Sequence, residues 1–140
     1  MKILIDTNIV LDFFLSREPG NAFAKQIFKL ICKETVKAYT TASSITDIYY
    51  ISAKKLGNDK ARNAIKLLLK LLSIINVDGD DCSNALIVPM NDFEDALITV
   101  CADKVEVDYI ISNDNEFLQT DSIIANVISS QNFMNSIRSK

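Results

Sequence analysis

The strongest constraint on the fold is the alternation of short apolar segments with longer amphipathic segments. Residues 2–5 ("KILI") are typical of a buried strand, and residues 7–15 carry their apolar side chains at helical spacing. Further strands are predicted at residues 38–41, 74–77, 108–111 and 126–128. Further helices are predicted at residues 21–33, 43–56, 59–72, 81–88 and 92–103, with a short one at the C-terminus. Strands separated by helices predict a three-layer α/β/α fold with a central, mostly parallel sheet of four or five strands.

Length and composition favour one globular domain. The chain has 140 residues, of which 49% are hydrophobic, with 3 Gly and 2 Pro. No repeat or linker interrupts it, so we expect residues 1–140 to form a single domain. The start lacks the basic segment and cleavage site of a signal peptide. The longest apolar stretch is far below the ~20 residues of a membrane span. We therefore expect a cytoplasmic protein with no membrane partner.

The absence of histidine restricts the possible chemistry. The sequence contains 0 His, which excludes serine–histidine–aspartate hydrolysis, cysteine–histidine proteolysis, histidine-bound zinc and RNA cleavage by paired histidines. The net charge of −3 argues against binding nucleic acid over the whole surface, although a local basic patch remains compatible with it. Catalysis by this chain must rely on carboxylates, which suit Mg²⁺ or Mn²⁺.

Three acidic residues are predicted near the carboxyl ends of strands, where parallel sheets bind their ligands. Asp6 directly follows the first strand, Asp47 lies in the first turns of the helix after the second, and Asp114 follows the strand at 108–111. Structural alternatives remain open. Asp6 can cap the helix that begins at residue 7, Asp47 can form a capping box with Ser44, and residues 112–116 can be an ordinary polar loop.

The segment "NDFEDALITVCA" (residues 91–102) adds more carboxylates. Asp92 and Asp95 are three residues apart and share one side of the first helical turn. Asp92 or Asn91 suits the cap position, where Glu94 can complete a capping box. Asp95 lies at the edge of the apolar stripe, where a solvated charge is less expected. The buried stripe is predicted to comprise Phe93, Ala96, Leu97, Val100 and Cys101.

The predicted grouping of these acids at one edge of the sheet is harder to explain by structural roles than the position of each acid alone. Carboxylates that cluster without a lysine or histidine repel one another, and their pKa values rise unless a cation lies between them. A divalent cation removes that cost, lowers the pKa of bound water and stabilises charge on a phosphoryl oxygen. Two such ions about 4 Å apart support in-line attack on a phosphodiester.

Four segments together resemble the PIN-domain family: "LIDTNIVLDFF", "ASSITDIYYI", "NDFEDALITVCA" and "DYIISNDNEF". The chain is most similar to the small ribonuclease toxins of the virulence-associated protein C type, and the match covers nearly its whole length. The resemblance implies a PIN-like fold, an endoribonuclease dependent on Mg²⁺ or Mn²⁺ that leaves a 5′-phosphate, and a role as the toxin of a toxin–antitoxin pair. It also implies an antitoxin protein and a homodimer as partners.

The resemblance also implies roles for individual residues. Asp6, Asp95 and Asp114 match the metal ligands, and Asp47 takes the place of the remaining catalytic acid. The supporting positions are Asn8, Asp92 and Ser112. Two departures from the family pattern stand out. Asp47 is one methylene shorter than the usual glutamate, and "SND" at residues 112–114 lacks the arginine of the usual Thr-Arg-Asn or Thr-Arg-Asp.

RNA contacts and competing functions complete these expectations. Candidate RNA-binding residues are Arg17, Lys54, Lys55, Lys60 and Arg62, each of which can equally be a solvated helix residue. Because Asp47 and the missing arginine weaken the match, the main alternative is a catalytically weak PIN-like module that binds RNA or protein. A phosphotransfer domain of doubly wound fold ranks third, since "DTN" and "SND" supply neither its paired acids nor its lysine.

Overall fold

The computed structural model describes residues 1–139 and contains a parallel sheet of five strands. The strands are β1 (Lys2–Ile5), β2 (Lys37–Thr41), β3 (Ser73–Ile75), β4 (Tyr109–Ile111) and β5 (Val127–Ile128). Their order across the sheet is β3-β2-β1-β4-β5, and every neighbouring pair is parallel. The predicted parallel sheet is confirmed.

Eight helices connect and cover these strands within residues 1–139. They are α1 (Thr7–Phe14), α2 (Gly20–Cys32), α3 (Ala42–Leu56), α4 (Asn58–Leu71), α5 (Gly79–Ala85), α6 (Phe93–Val105), α7 (Asn115–Leu118) and α8 (Ser130–Arg138). The prediction missed α7 and assigned these residues to a loop, because a four-residue helix is too short to show apolar periodicity. Among the described residues, no helix is both long and apolar enough to cross a membrane.

The core lies on both faces of the sheet, as the alternation of side chains along β1 requires. Ile3 and Ile5 pack in the larger cluster, which includes side chains of α1, α2, α3, α4 and α8. Leu4 points to the opposite face and packs with Ile98 of α6 and Phe117 of α7. Helix α5 packs on α6 through Ala85. The predicted three-layer architecture is therefore confirmed.

The parallel arrangement brings the ends of distant segments to one edge of the sheet. Ile5 at the end of β1 is in register with Ile111 at the end of β4, and the Asp6 N–H donates to the Ile111 carbonyl at 3.0 Å. On the other side of β1, strand β2 ends at Thr41 and leads directly into α3. Side chains that follow β1, β2 and β4 can therefore meet at this edge.

Candidate functional site

An acidic cleft of about 330 Å³ opens at this carboxyl edge of the sheet. Its lining includes six acidic residues and one basic residue, Arg17. The lining residues are Asp6, Thr7, Asn8, Leu11, Arg17, Asp47, Ile51, Asp92, Glu94, Asp95 and Asp114. The four predicted catalytic acids thus line a single cleft, although they come from the β1–α1 junction, α3, α6 and the β4–α7 junction.

Asp6 both caps a helix and faces the cleft. It is 6% exposed, and its Oδ1 accepts a hydrogen bond from the Thr7 N–H at 2.8 Å, which makes it the N-cap of α1. Its Oδ2 accepts from the Ser112 Oγ at 2.8 Å and from the Asn8 Nδ2 at 3.0 Å. Burial raises the pKa of Asp6, while these hydrogen bonds act in the opposite direction. The capping alternative is therefore correct, and it is compatible with a place in the cleft.

Asn8 and Ser112 connect the ends of β1 and β4 around the Asp6 carboxylate. Asn8 Nδ2 donates to the Ser112 Oγ at 3.1 Å, and Asn8 Oδ1 accepts from the Asn113 N–H at 3.0 Å. The Ser112 hydroxyl, buried at 0% exposure, also accepts from the Asp114 N–H at 3.1 Å. This network fixes the orientation of Asp6, as expected for groups that support a metal ligand.

Asn113 anchors the same loop to the C-terminal helix, a contact that the sequence did not reveal. Its Oδ1 accepts from the N–H and from the Oγ of Ser130, at 3.0 and 3.1 Å, and its Nδ2 lies 3.0 Å from the same Oγ. Ser130 is the first residue of α8 and is 1% exposed. Asn113 occupies the position at which the family resemblance predicts arginine, and no local pattern pairs it with Ser130.

The first turn of α6 contributes Asp95, a largely buried acid with a raised pKa. Asp92 caps the helix by accepting from the Asp95 N–H at 3.0 Å, as predicted. Asp95 is only 8% exposed. Within residues 1–139 its carboxylate accepts no hydrogen bond; the bonds of this residue involve its backbone. Burial, followed by the charges of Asp92, Asp6 and Asp114, raises the pKa of Asp95 to about 7.

Glu94 is the cleft residue that the sequence interpretation missed. The capping box that was left open for it does not form, because Asp92 is the cap and its oxygen accepts from the Asp95 N–H. Glu94 instead lines the cleft together with Asp47 of α3. Burial and the charge of Asp47 raise the pKa of Glu94 to about 7. The sequence signal was only the density of acids in "NDFED".

One open alternative and one prediction in these segments do not hold. The capping box of Asp47 with Ser44 does not form, because Thr41 caps α3 and its Oγ1 accepts from the Ser44 N–H at 3.1 Å. Asp47 is instead an exposed residue on the cleft. Phe93 was expected in the buried stripe of α6 but is 46% exposed. As the first helical residue it lies at the end of the helix, beyond the face that packs on the sheet.

The predicted RNA-binding residues are spread over the surface. Arg17 lines the cleft, and its guanidinium donates to Asp12 at 3.0 Å and to the Asn8 carbonyl at 3.4 Å. The other four lie on α3 and α4, are exposed and are absent from the cleft lining. They are Lys54, Lys55, Lys60 and Arg62, the last of which lies over the Tyr49 ring at 5.8 Å.

The donor chemistry of the cleft fits a hard divalent cation. The acidic side chains that line it offer carboxylate oxygens, which Mg²⁺ and Mn²⁺ prefer as ligands. Among the described residues, Arg17 is the basic residue that lines the cleft, and its guanidinium is paired with Asp12. Burial, followed by the charges of neighbouring carboxylates, raises the pKa values of Glu94 and Asp95. Within residues 1–139, no three Asp, Glu, Cys or His side chains are already gathered as a metal cage.

Solved structures with the same architecture include several toxin complexes. VapBC2 from Rickettsia felis, bound to a promoter DNA fragment, has a TM-score of 0.70 at 13% identity, covering 92% of this chain and 98% of that chain. VapC20 from Mycobacterium tuberculosis, a toxin that cleaves the sarcin-ricin loop, has a TM-score of 0.67 at 16% identity, covering 83% and 92%. A toxin–antitoxin complex from Klebsiella pneumoniae has a TM-score of 0.65 at 19% identity, covering 91% and 97%.

Sequence comparison decides the family. No match was found among curated proteins. The family model of the PIN domain matches residues 2–116, which contain Asp6, Asp47, Asp95 and Asp114. The solved structures share the fold over most of the chain. The chain belongs to the PIN domain family.

Proposed function

We propose that this protein is a divalent-metal-dependent endoribonuclease and the toxin of a toxin–antitoxin pair. The observation that carries the proposal is the convergence of six acids in one cleft, whose basic lining residue among the described residues, Arg17, is paired with Asp12 outside that lining. Repulsion between clustered carboxylates does not stabilise a packed domain. A nuclease that uses a metal ion, by contrast, requires such a cluster to hold the ion.

Each acid has a definite role in this proposal. Asp6, Asp95 and Asp114 hold the Mg²⁺ or Mn²⁺ ion, and Asp47 completes the catalytic set. Asn8 and Ser112 orient Asp6 through the hydrogen bonds to its Oδ2, and Asp92 places the first turn of α6 by capping it. When bound, the ion lowers the pKa of water and stabilises negative charge on the phosphoryl oxygens.

The proposed reaction is hydrolysis with in-line geometry. A water oxygen forms a bond to phosphorus, and the bond from phosphorus to the 3′-oxygen breaks. The 3′-oxygen takes up a proton, and the products are a 5′-phosphate and a 3′-hydroxyl. The carboxylates of the cleft fix the reacting groups and accept the proton that the water releases. The buried position of Asp6 and Asp95 keeps these ligands from moving during the step.

RNA and an antitoxin are the proposed partners. Arg17 lies beside the acidic cleft and is placed to contact a phosphate next to the scissile bond. Lys54, Lys55, Lys60 and Arg62 would contact RNA farther along α3 and α4. The toxin–antitoxin structures that share the fold support an antitoxin as a partner. They are also compatible with a homodimer of this chain. We further propose that residues 1–140 act as a single domain in the cytoplasm.

The test is a cleavage assay of the purified protein on total cellular RNA. We expect cleavage with Mn²⁺, none with EDTA, and 5′-phosphate ends at the cut sites. Asp6→Asn and Asp95→Asn should each remove cleavage. Asp59→Asn is the matched control, because Asp59 is an exposed acid in the first turn of α4 and lies outside the cleft. Cleavage that persists in EDTA or in Asp6→Asn would refute the proposal.

One observation favours a second candidate, the catalytically weak binding module. Asp47 is short and exposed, and the described carboxylates are not gathered as a metal cage. Titration calorimetry with Mn²⁺ separates the two functions. Binding that is lost in Asp6→Asn supports the nuclease, whereas a wild-type protein that retains RNA but binds no Mn²⁺ supports the module.

A further inference from the structure

Arg17 is fixed at the wall of the cleft by both its backbone and its side chain. Its N–H donates to the Asp12 carbonyl at 3.0 Å, and its carbonyl accepts from the Asn21 N–H at 2.7 Å. The guanidinium Nε donates to the Asp12 Oδ1 at 3.0 Å, and Nη2 donates to the Asn8 carbonyl at 3.4 Å. Ordering a long side chain that is 45% exposed costs conformational entropy, so these bonds specify one orientation of Arg17.

The partner of the Arg17 guanidinium is informative. Six carboxylates line the cleft together with Arg17. Among the described residues its ion pair is nevertheless with Asp12, which lies outside that lining. Coulomb attraction would draw an unrestrained guanidinium towards the acids of the cleft. Asp12 therefore keeps the charge of Arg17 at the wall and away from those acids.

Asp12 is itself held by a close approach to α2. Its side chain is only 14% exposed, and its carboxylate lies against Gly20, the first residue of α2. A Cβ atom at residue 20 would lie 2.0 Å from the Asp12 Oδ2 and 2.7 Å from its Cγ, which is closer than atoms pack. Glycine at this position therefore leaves the room that the Asp12 carboxylate needs to meet Arg17.

The bonds of Arg17 leave donors for a ligand of the cleft. A guanidinium carries five N–H groups in a rigid planar fork. Asp12 takes the Nε–H and the Asn8 carbonyl takes one Nη2–H, and within residues 1–139 the other three N–H groups have no partner. Two N–H groups of such a fork match two oxygens of a phosphate. Arg17 is thus held by one edge and can bind a phosphate with the other.

We propose that Asp12 is a positioning residue, which holds Arg17 at the wall of the cleft so that its free N–H groups bind a phosphate of the RNA. Gly20 gives the Asp12 carboxylate the space to do so. The inference rests on the proposed nuclease function and adds Asp12 and Gly20 to it. It also predicts an effect of unexpected sign. Loss of an acidic charge normally favours nucleic-acid binding, whereas loss of the Asp12 charge should weaken it.

The experiment measures the affinity of the full chain for a fluorescent oligouridylate by anisotropy, over a series of salt concentrations, in Mn²⁺ and in EDTA. We expect Arg17→Gln to weaken binding by about tenfold, because one charge-assisted phosphate contact is lost. The slope of log affinity against log salt should fall by about 0.7, the value for one phosphate of a single strand.

Asp12→Asn should reproduce both effects of Arg17→Gln. Asparagine keeps the shape of the side chain but loses the charge-assisted bond, so the acids of the cleft become the stronger partners of Arg17. The double variant Asp12→Asn/Arg17→Gln should bind no more weakly than Arg17→Gln alone, because both changes remove one contact. Asp59→Asn is the charge-matched control. It removes an exposed acid outside the cleft and should leave RNA affinity unchanged or slightly higher.

Gly20→Ala tests the positioning without a change of charge. Its Cβ displaces the Asp12 carboxylate, and we expect the same loss of affinity and of salt slope. Gly79→Ala is the matched control, because Gly79 is the first residue of α5 and a Cβ there meets nothing within 4 Å. A merely structural role of Asp12 predicts a lower melting temperature in Asp12→Asn and Gly20→Ala with an unchanged salt slope.

Several results would overturn the inference. They are RNA affinity that is unchanged or higher in Asp12→Asn, losses that add in the double variant, and a wild type that does not bind the oligouridylate in either condition. If cleavage of total RNA still requires Mn²⁺ and still disappears in Asp6→Asn, the proposed function stands without the inference. A wild type that cleaves no RNA with Mn²⁺ would instead count against the proposed function itself.

Discussion

Replacing Asp95 with asparagine should stabilise the metal-free protein at alkaline pH while it removes function. Asparagine keeps the shape of the side chain and deletes its charge. Because burial and neighbouring acids raise the pKa of Asp95 from 3.8 to about 7, the folded state binds this proton more tightly than the unfolded state. The wild type therefore loses stability as the pH rises from about 4 to about 7, and Asp95→Asn lacks that loss.

The pKa shift sets an upper limit on this effect. A rise from 3.8 to about 7 corresponds to about 4 kcal/mol at about 1.4 kcal/mol per unit. Solvent at the mouth of the cleft screens the charges, which reduces the effect to about 1–2 kcal/mol. The variant also loses about 0.5 kcal/mol of favourable interaction between Asp95 and the dipole of α6. We expect a net stabilisation of about 1 kcal/mol at pH 8 and a much smaller difference at pH 4.

Urea unfolding in EDTA at pH 4 and pH 8 measures both differences. Asp59→Asn, at an exposed first-turn position of α4, should lose a few tenths of a kcal/mol at pH 8, opposite in sign to Asp95→Asn. With saturating Mn²⁺ the order should reverse, because the wild type gains binding free energy that the variant lacks. An Asp95→Asn protein that is less stable than the wild type at pH 8 in EDTA would refute the reasoning.

Two further predictions concern the hydrogen bonds that hold the site. Ser112→Ala removes the 2.8 Å hydrogen bond to the Asp6 Oδ2 and should reduce the cleavage rate and Mn²⁺ affinity by about 10- to 100-fold, as measured by initial rates and calorimetry. Unchanged affinity would show that Ser112 does not position Asp6. Ser130→Ala breaks the side-chain contacts with Asn113 and should cost about 1–3 kcal/mol of unfolding free energy, because buried polar atoms lose their partner. Urea unfolding checks it, with Ser139→Ala as the exposed control, and equal losses in both variants would contradict it.

Local sequence patterns were sufficient for most of the fold and part of the site. Apolar periodicity located the five strands and seven of the eight helices of residues 1–139 to within a few residues. Asp6 was placed at the strand edge because it directly follows the strand-like segment "KILI", and Asp92 was recognised as a cap from its position before an amphipathic helix. These inferences depend on neighbours within a few residues, which the sequence displays directly.

Errors occurred where the orientation of a side chain depends on packing. The first turn of α6 carries Asp92, Phe93, Glu94 and Asp95, and periodicity alone assigned Phe93 to the core and Glu94 to a cap. The rotation of α6 against the sheet and α5 instead leaves Phe93 half-exposed and places Glu94 in the cleft lining with Asp47. A helix end projects beyond the face that packs, so the apolar stripe does not predict which of its side chains are covered.

The sequence by itself determined the fold class and the types of side chain available for chemistry. It set the alternation of strands and helices, the parallel sheet and the supply of carboxylates without histidine, because secondary structure follows from local periodicity and chemistry from residue type. Only the tertiary structure decided which of these groups meet. The hydrogen bonds of Asn113 with Ser130 and the shared cleft of Glu94 and Asp47 bring together residues far apart in the chain, and both depend on helix positions that the whole packed core fixes.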